Sequence, residues 1–213
     1  MTNQTFPTRA LLACGVVAGP TYVTVTMAQA LTRDGFDLKQ HRFSWLTAGE
    51  HGWIHQSNMV LVGALTVLLA IGARKVMQTG RGARWAPRLL ALNGLAYVVG
   101  GLLTADPVVG FPPGTTPQLA QSSWQGIVQN ASRGAGSLFL IAASVVIAGW
   151  FAADGRRGWA WFYGASIPVV FIALTAAGLA IGGNPSAVAF LATPWIWMTA
   201  LAVHLRRLHV DSA

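Results

Sequence analysis

The chain alternates long apolar runs with short polar segments. Six runs, at about 10–31, 53–73, 86–105, 127–152, 159–181 and 186–204, are long enough to be read as membrane-crossing helices. A hydrocarbon core about 30 Å thick takes roughly 20 helical residues. Within it a single segment must satisfy its own backbone groups, as a helix does. Gly19-Pro20 predicts a kink in the first run, and Pro168 and Pro194 lie inside the fifth and sixth. Prolines are tolerated in such helices because neighbouring groups re-satisfy the freed carbonyls. The expected fold is all-α and integral to the membrane: a six-transmembrane-helix bundle in one domain covering residues 1–213.

Composition sharpens this reading. The chain is 54% hydrophobic and 9% charged, against about 25% charged residues in soluble domains. Its mean hydropathy is +0.51. The net charge of +8 would suggest nucleic acid in a soluble protein. Here the cations instead sit in alternate connections. Arg9, Arg74, Lys75, Arg81, Arg84, Arg88, Arg156, Arg157, Arg206 and Arg207 fall on one side; Arg33, Lys39 and Arg42 fall on the other. That imbalance places both termini inside and sets nucleic acid aside. The expected location is a bacterial inner (cytoplasmic) membrane. Trp85, Trp150, Trp159 and Trp161 then lie near the inner interface, and Trp53 and Trp124 near the outer one, where amphipathic indoles belong.

Cys14 is the sole cysteine, so neither an intramolecular disulfide nor a cysteine metal site is available. Leu11-Leu12-Ala13-Cys14 imitates a lipoprotein box, and Ala28-Gln29-Ala30 a signal-peptidase site. The apolar run before Cys14 is too short for a signal core, and the run 10–31 is long for one, so it is read as the first span.

Spans two–three and four–five read as tandem helical hairpins of the same orientation. Gly52-Trp53-Ile54-His55-Gln56 opens span two and Gly126-Ile127-Val128-Gln129-Asn130 opens span four; each hairpin turns through a basic inner loop. The repeat implies a pseudo-two-fold along the membrane normal.

Polar residues are costly inside a membrane and so mark candidate sites. They gather at the expected outer end. Glu50, His51, His55 and Asn58 open span two, Asp106 ends span three, and Trp124, Gln129, Asn130 and Arg133 lead into span four. The first and third loops are expected to cap this end. His51, His55 and Asn58 follow an i, i+4, i+7 spacing and share one helix face. Two histidines so spaced can chelate a metal, but the spacing is common and no metal or other cofactor is assigned. Asp106 at the depth of Arg133 suggests an ion pair between spans three and four. A carboxyl with a raised pKa beside a histidine can do acid–base chemistry. The candidate catalytic residues are therefore Glu50, Asp106, His51 and His55. The candidate substrate-binding residues are Arg133, Asn58, Trp53, Trp124, Gln129 and Asn130.

Several stretches carry a resemblance: 11–20 (Leu-Leu-Ala-Cys-Gly-Val-Val-Ala-Gly-Pro), 32–38 (Thr-Arg-Asp-Gly-Phe-Asp-Leu), Gly52-Trp53-Ile54, Ala105-Asp106-Pro107, Gly110-Phe111-Pro112-Pro113-Gly114 and Ser123-Trp124. In this order they resemble the prokaryotic membrane family catalogued as domain of unknown function 998. The resemblance implies a multi-helix membrane protein and no particular activity. Family members often carry His-Gly-x-x-His after the Ser-Trp pair, where this chain has Gln125-Gly126-Ile127-Val128-Gln129.

Three functions stay open at this point. The first is a membrane enzyme doing acid–base chemistry on an amphiphilic lipid or isoprenoid-type substrate, such as acid-initiated cyclisation. The second is a non-catalytic binder or carrier of a lipid or small molecule. The third is a structural partner of another membrane protein, since Gly100-Gly101 and Gly134-Ala135-Gly136 permit close helix approach and also self-association into a homo-oligomer.

Overall fold

The computed structural model describes residues 5–181 and 187–211. They form six α-helices: α1 (Thr5–Thr32), α2 (Gly52–Val76), α3 (Gly80–Gly101), α4 (Trp124–Ala153), α5 (Arg157–Ile181) and α6 (Ala187–Asp211). A short 3-10 helix spans Phe43–Thr47. All six apolar runs are helical. The third helix is displaced towards its N-terminus relative to the expected 86–105. Its basic first turns mask the start in a hydropathy profile, and it stops at Gly101, ahead of Asp106-Pro107, where the proline disfavours a helical residue before it. α1 and α5 run through Pro20 and Pro168 as single helices. The expected start of the sixth run at Ser186 lies outside the described residues.

Among the described residues four helices, α1, α2, α4 and α5, are long and apolar enough to cross a membrane. α3 carries Arg81, Arg84 and Arg88 in its first turns, and α6 carries Arg206, Arg207 and His209 in its last, which lowers their apolar content. The 22 residues of α3 still extend roughly 33 Å.

Helices adjacent in the chain pack side by side, α6 closes back on α1, and α5 meets α6 over a smaller surface. The tightest crossing lies between α2 and α3. A Cβ added at Gly63 would sit 2.6 Å from the Gly94 carbonyl oxygen, and one at Gly94 would sit 2.7 Å from that of Gly63. Only glycine permits such backbone contact, a common device where helices pack in lipid. α5 and α6 are joined near the uncapped end. Trp197 Nε1 donates to the Tyr163 carbonyl at 3.2 Å. The His204 ring lies 4.5 Å from Trp159 and 4.7 Å from Phe151.

The connections 33–51 and 102–123 fold over the other end as a cap. Phe111 is fully buried beneath it, 5.3 Å from the Phe36 ring. Arg33 lies over Phe111 at 5.3 Å and donates to the Leu46 carbonyl at 2.6 Å and to the Ala48 carbonyl. Burial lowers its pKa from the usual arginine value. Thr47 ties the cap to the bundle: its hydroxyl donates to the Ser44 carbonyl at 2.8 Å and accepts from Ala105 N at 2.9 Å and Gln129 Nε2 at 3.0 Å.

The cap carries a pH dependence. The Asp37 N–H donates to His41 Nδ1 at 3.0 Å, a bond that requires a neutral ring. Burial lowers the His41 pKa, partly offset by the Asp37 charge. The unfolded segment therefore binds the proton more readily than the folded cap. The contribution of His41 is complete above its ordinary value of 6.5 and is lost as pH falls through the lower folded value. The protection of the Asp37 amide, its exchange corrected for intrinsic amide chemistry, should fall between about pH 7.5 and pH 5.5, and His41→Gln should flatten the response. An exchange rate that varies only with intrinsic amide chemistry would contradict this.

Candidate functional site

Beneath the cap, α1 and α2 present matching polar faces. Tyr22, Thr26 and Gln29 follow the same i, i+4, i+7 spacing on α1 as His51, His55 and Asn58 on α2. Asn58 Nδ2 donates to the Tyr22 carbonyl at 3.2 Å and to Thr26 Oγ1 at 3.3 Å. This stitches the two helices together and turns His55 towards Tyr22. His55 is fully buried, with its ring centroid 5.8 Å from that of Tyr22. Neither of its ring nitrogens has a hydrogen-bond partner among the described residues. Tyr97 of α3 and Trp195 of α6 complete the wall: Tyr22–Trp195 is 4.8 Å, Tyr22–Tyr97 5.6 Å and Tyr97–Trp195 5.2 Å between ring centroids.

Arg133 faces this wall from α4. It belongs to the heptad-spaced series Gly126, Arg133, Leu140 and Ile147, in which the other three are buried. Arg133 is exposed despite sharing their face. Tyr97 is also only half-buried. The guanidinium lies within electrostatic reach of His55, Tyr22 and Tyr97. It has no carboxylate partner among the described residues. An arginine at such depth favours an anion or a water-filled space.

Asp106 does not pair with Arg133. Its Oδ1 accepts from Ser123 N at 3.0 Å and Ser123 Oγ at 2.6 Å, while Ser123 Oγ accepts from Gly126 N at 3.1 Å. Its carboxylate occupies the space where a Cβ at Gly126 would project. The helix dipole and free N–H groups at the start of α4 hold the acid there. Glu50 and His51 are exposed and line a groove in the cap. Trp53 (63% exposed), Trp124 (66%) and Asn130 point away from the bundle. The single mouth expected from sequence is thus divided into a buried polar cluster, with His55 and Asn58 within reach of Arg133, and an outer groove with Glu50 and His51. Among the described residues no three His, Cys, Asp or Glu side chains come together as a metal site.

Gln129 is fully buried and joins three elements. Its Nε2 donates to Thr47 Oγ1 at 3.0 Å, the Leu103 carbonyl at 3.2 Å and the Gly100 carbonyl at 3.3 Å. It thereby serves carbonyls that the end of α3 leaves without helical donors. Gln129→Leu should lower stability by about 1–3 kcal/mol. Gln129→His, which retains an N–H, should lose less; equal melting temperatures for the two variants would contradict this role.

Fold and site together define an all-helical protein of membrane type, with a capped end and a buried polar cluster beneath the cap. The chain belongs to the family described as protein of unknown function (DUF998), whose model matches residues 16–204. No curated protein and no solved structure matches it.

Tyr22, Thr26, Tyr97 and Trp195 escaped the sequence reading. Tyrosine and tryptophan in apolar runs look like ordinary packing residues. The i, i+4, i+7 polar spacing at 22, 26 and 29 was the available signal.

Proposed function

We propose that this protein is a six-span protein of the bacterial inner membrane, with both termini inside and the capped end facing outward. We further propose that the face beside Arg133, beneath the cap, binds an amphiphile through an anionic head group. The observation that carries this reading is Arg133, which lies on the buried face of α4 yet is exposed and has no carboxylate partner among the described residues. Arg133 would take the charge, Asn58 and its partners would hold the α1–α2 wall, and the Tyr22, Tyr97 and Trp195 rings would line the start of the tail. An isoprenoid or acyl chain would continue along the apolar outer half of α5, where Val169 and Ile172 are 59% and 69% exposed. The tandem-hairpin repeat is supported by paired details. Gly52 and Gly126 each face a loop oxygen where a Cβ would stand, and each is followed three residues on by a fully buried side chain, His55 or Gln129.

A catalytic reading is favoured by one observation, the unpartnered ring nitrogens of His55. His55 is fully buried, so it would accept a proton from the bound ligand only once the wall of Tyr22, Tyr97 and Trp195 opens to it. Asp106, committed to α4, and Glu50, exposed in the groove, are less suited as the acid of a cyclisation. The binder is therefore preferred over the enzyme. Native mass spectrometry of the purified protein tests both. The expected result is a co-purifying anionic amphiphile that Arg133→Gln loses. Conversion of that ligand by wild type but not by His55→Phe would establish catalysis, and identical lipid content in wild type and Arg133→Gln would refute the site.

A further inference from the structure

A second cluster lies at the uncapped end of the bundle, roughly 30 Å along α4 from Arg133. There the connection between α4 and α5 meets the last turns of α6. Arg156 Nη1 lies 3.5 Å from His204 Nε2. Arg207 follows His204 by three residues and shares its face of α6. Two guanidiniums from different elements thus flank one imidazole. The ring is held in place by Phe151 at 4.7 Å, by Trp159 at 4.5 Å and by the Tyr163 hydroxyl, 3.5 Å from Nδ1.

Little protein charge balances this pair. In the sequence, Arg156, Arg157, Arg206 and Arg207 stand against Asp154 and Asp211. Asp154 Oδ2 pairs with Arg156 Nε at 2.8 Å. Arg157, Arg206 and Arg207 are exposed, and their guanidiniums have no hydrogen bond, ion pair or ring contact among the described residues. The arginines of the α2–α3 hairpin are placed differently. Arg74 donates to the Ala83 carbonyl at 2.7 Å, and Arg84 and Arg88 lie over the Trp85 ring at 5.9 and 5.5 Å. Charge that only orients the chain needs no convergence of two elements on one spot.

The surroundings fit a lipid better than a soluble anion. α5 begins at Arg157, and a Cβ at Gly158 would meet nothing within 4 Å, so the first-turn N–H groups are open to an anion. Trp159, against His204, and Phe162, 5.9 Å from Trp159, are 45% and 41% exposed. An apolar strip therefore runs from the arginine pair along α5.

We propose that the α4–α5 connection and the end of α6 bind a phospholipid with an anionic head group, its phosphate gripped by Arg156 and Arg207 and its acyl chains following Trp159 and Phe162. Basic pockets between membrane helices hold such head groups. The test is native mass spectrometry of the full chain in neutral detergent, titrated with phosphatidylglycerol and with phosphatidylcholine of the same acyl chains. One phosphatidylglycerol should bind at least about tenfold more tightly than phosphatidylcholine, and Arg156→Gln/Arg207→Gln should lose that preference. Arg207→Gln alone, at an exposed position, should weaken it in part. Arg84→Gln/Arg88→Gln removes the same charge from the same end and should keep it. Arg133→Gln should also keep it, so a failure at Arg133 and a failure here are distinguishable. Equal affinity for the two lipids, or equal loss in the two double variants, would overturn the proposal. Displacement of the lipid by millimolar inorganic phosphate would overturn the choice of a lipid as occupant.

Discussion

Gly94→Leu is expected to leave little folded protein after extraction, because α2 and α3 have no room to separate. A Cβ at Gly94 would stand 2.7 Å from the Gly63 carbonyl oxygen and 3.0 Å from Val67, and the obstruction is reciprocal at Gly63. The opposing atoms are backbone, so no rotamer change relieves them. Overpacking of this kind costs about 1–3 kcal/mol, and more where the backbone must move. The crossing also sets the distance between His55 and Asn58 on α2 and Tyr97 on α3, so ligand binding should fall with stability. Gly149 provides the control, since a Cβ there meets nothing within 4 Å. Gly149→Leu should be neutral or slightly stabilising, by about 1 kcal/mol at most, through helix propensity. Tryptophan fluorescence melts of the two variants should therefore differ in sign. A Gly94→Leu protein melting with wild type would show that the crossing is looser than described.

Arg133→Leu should separate function from stability. Arg133 stands on the otherwise buried face of α4, exposed and without a carboxylate among the described residues, and an uncompensated charge within a membrane span is costly. Its removal should raise the melting temperature of the ligand-free protein. It should also abolish retention of an anionic amphiphile, with an affinity loss on the order of tenfold to a hundredfold. Arg133→Lys should recover only part of that affinity, because an ammonium lacks the planar donor fork that grips a phosphate or carboxylate. A melting temperature that falls in Arg133→Leu would instead mean that Arg133 is a structural support.

The helices were legible from the chain because long apolar runs must bury or enter lipid wherever they sit. The displaced third helix shows the limit. Its first turns bear Arg81, Arg84 and Arg88, and hydropathy reads basic residues as loop whether or not the backbone coils. The cap was anticipated in position but not in construction. Nothing in the local sequence of Arg33 says that its guanidinium serves Leu46 and Ala48 while its face covers Phe111.

Sequence alone determined a helical membrane-type protein of this family, with its chemistry-bearing residues gathered at one end. Those conclusions rest on composition, spacing and motif order, which are properties of the chain. Only the tertiary structure divided that polar end. Asp106 is claimed by the N-terminus of α4, Gln129 by carbonyls of α3, and Asn58 by Tyr22 and Thr26, whereas His55 and Arg133 remain without polar partners among the described residues. Each assignment depends on which helix stands opposite. A hydrogen bond across 17 to 36 positions of chain is settled by packing, and no local pattern records it.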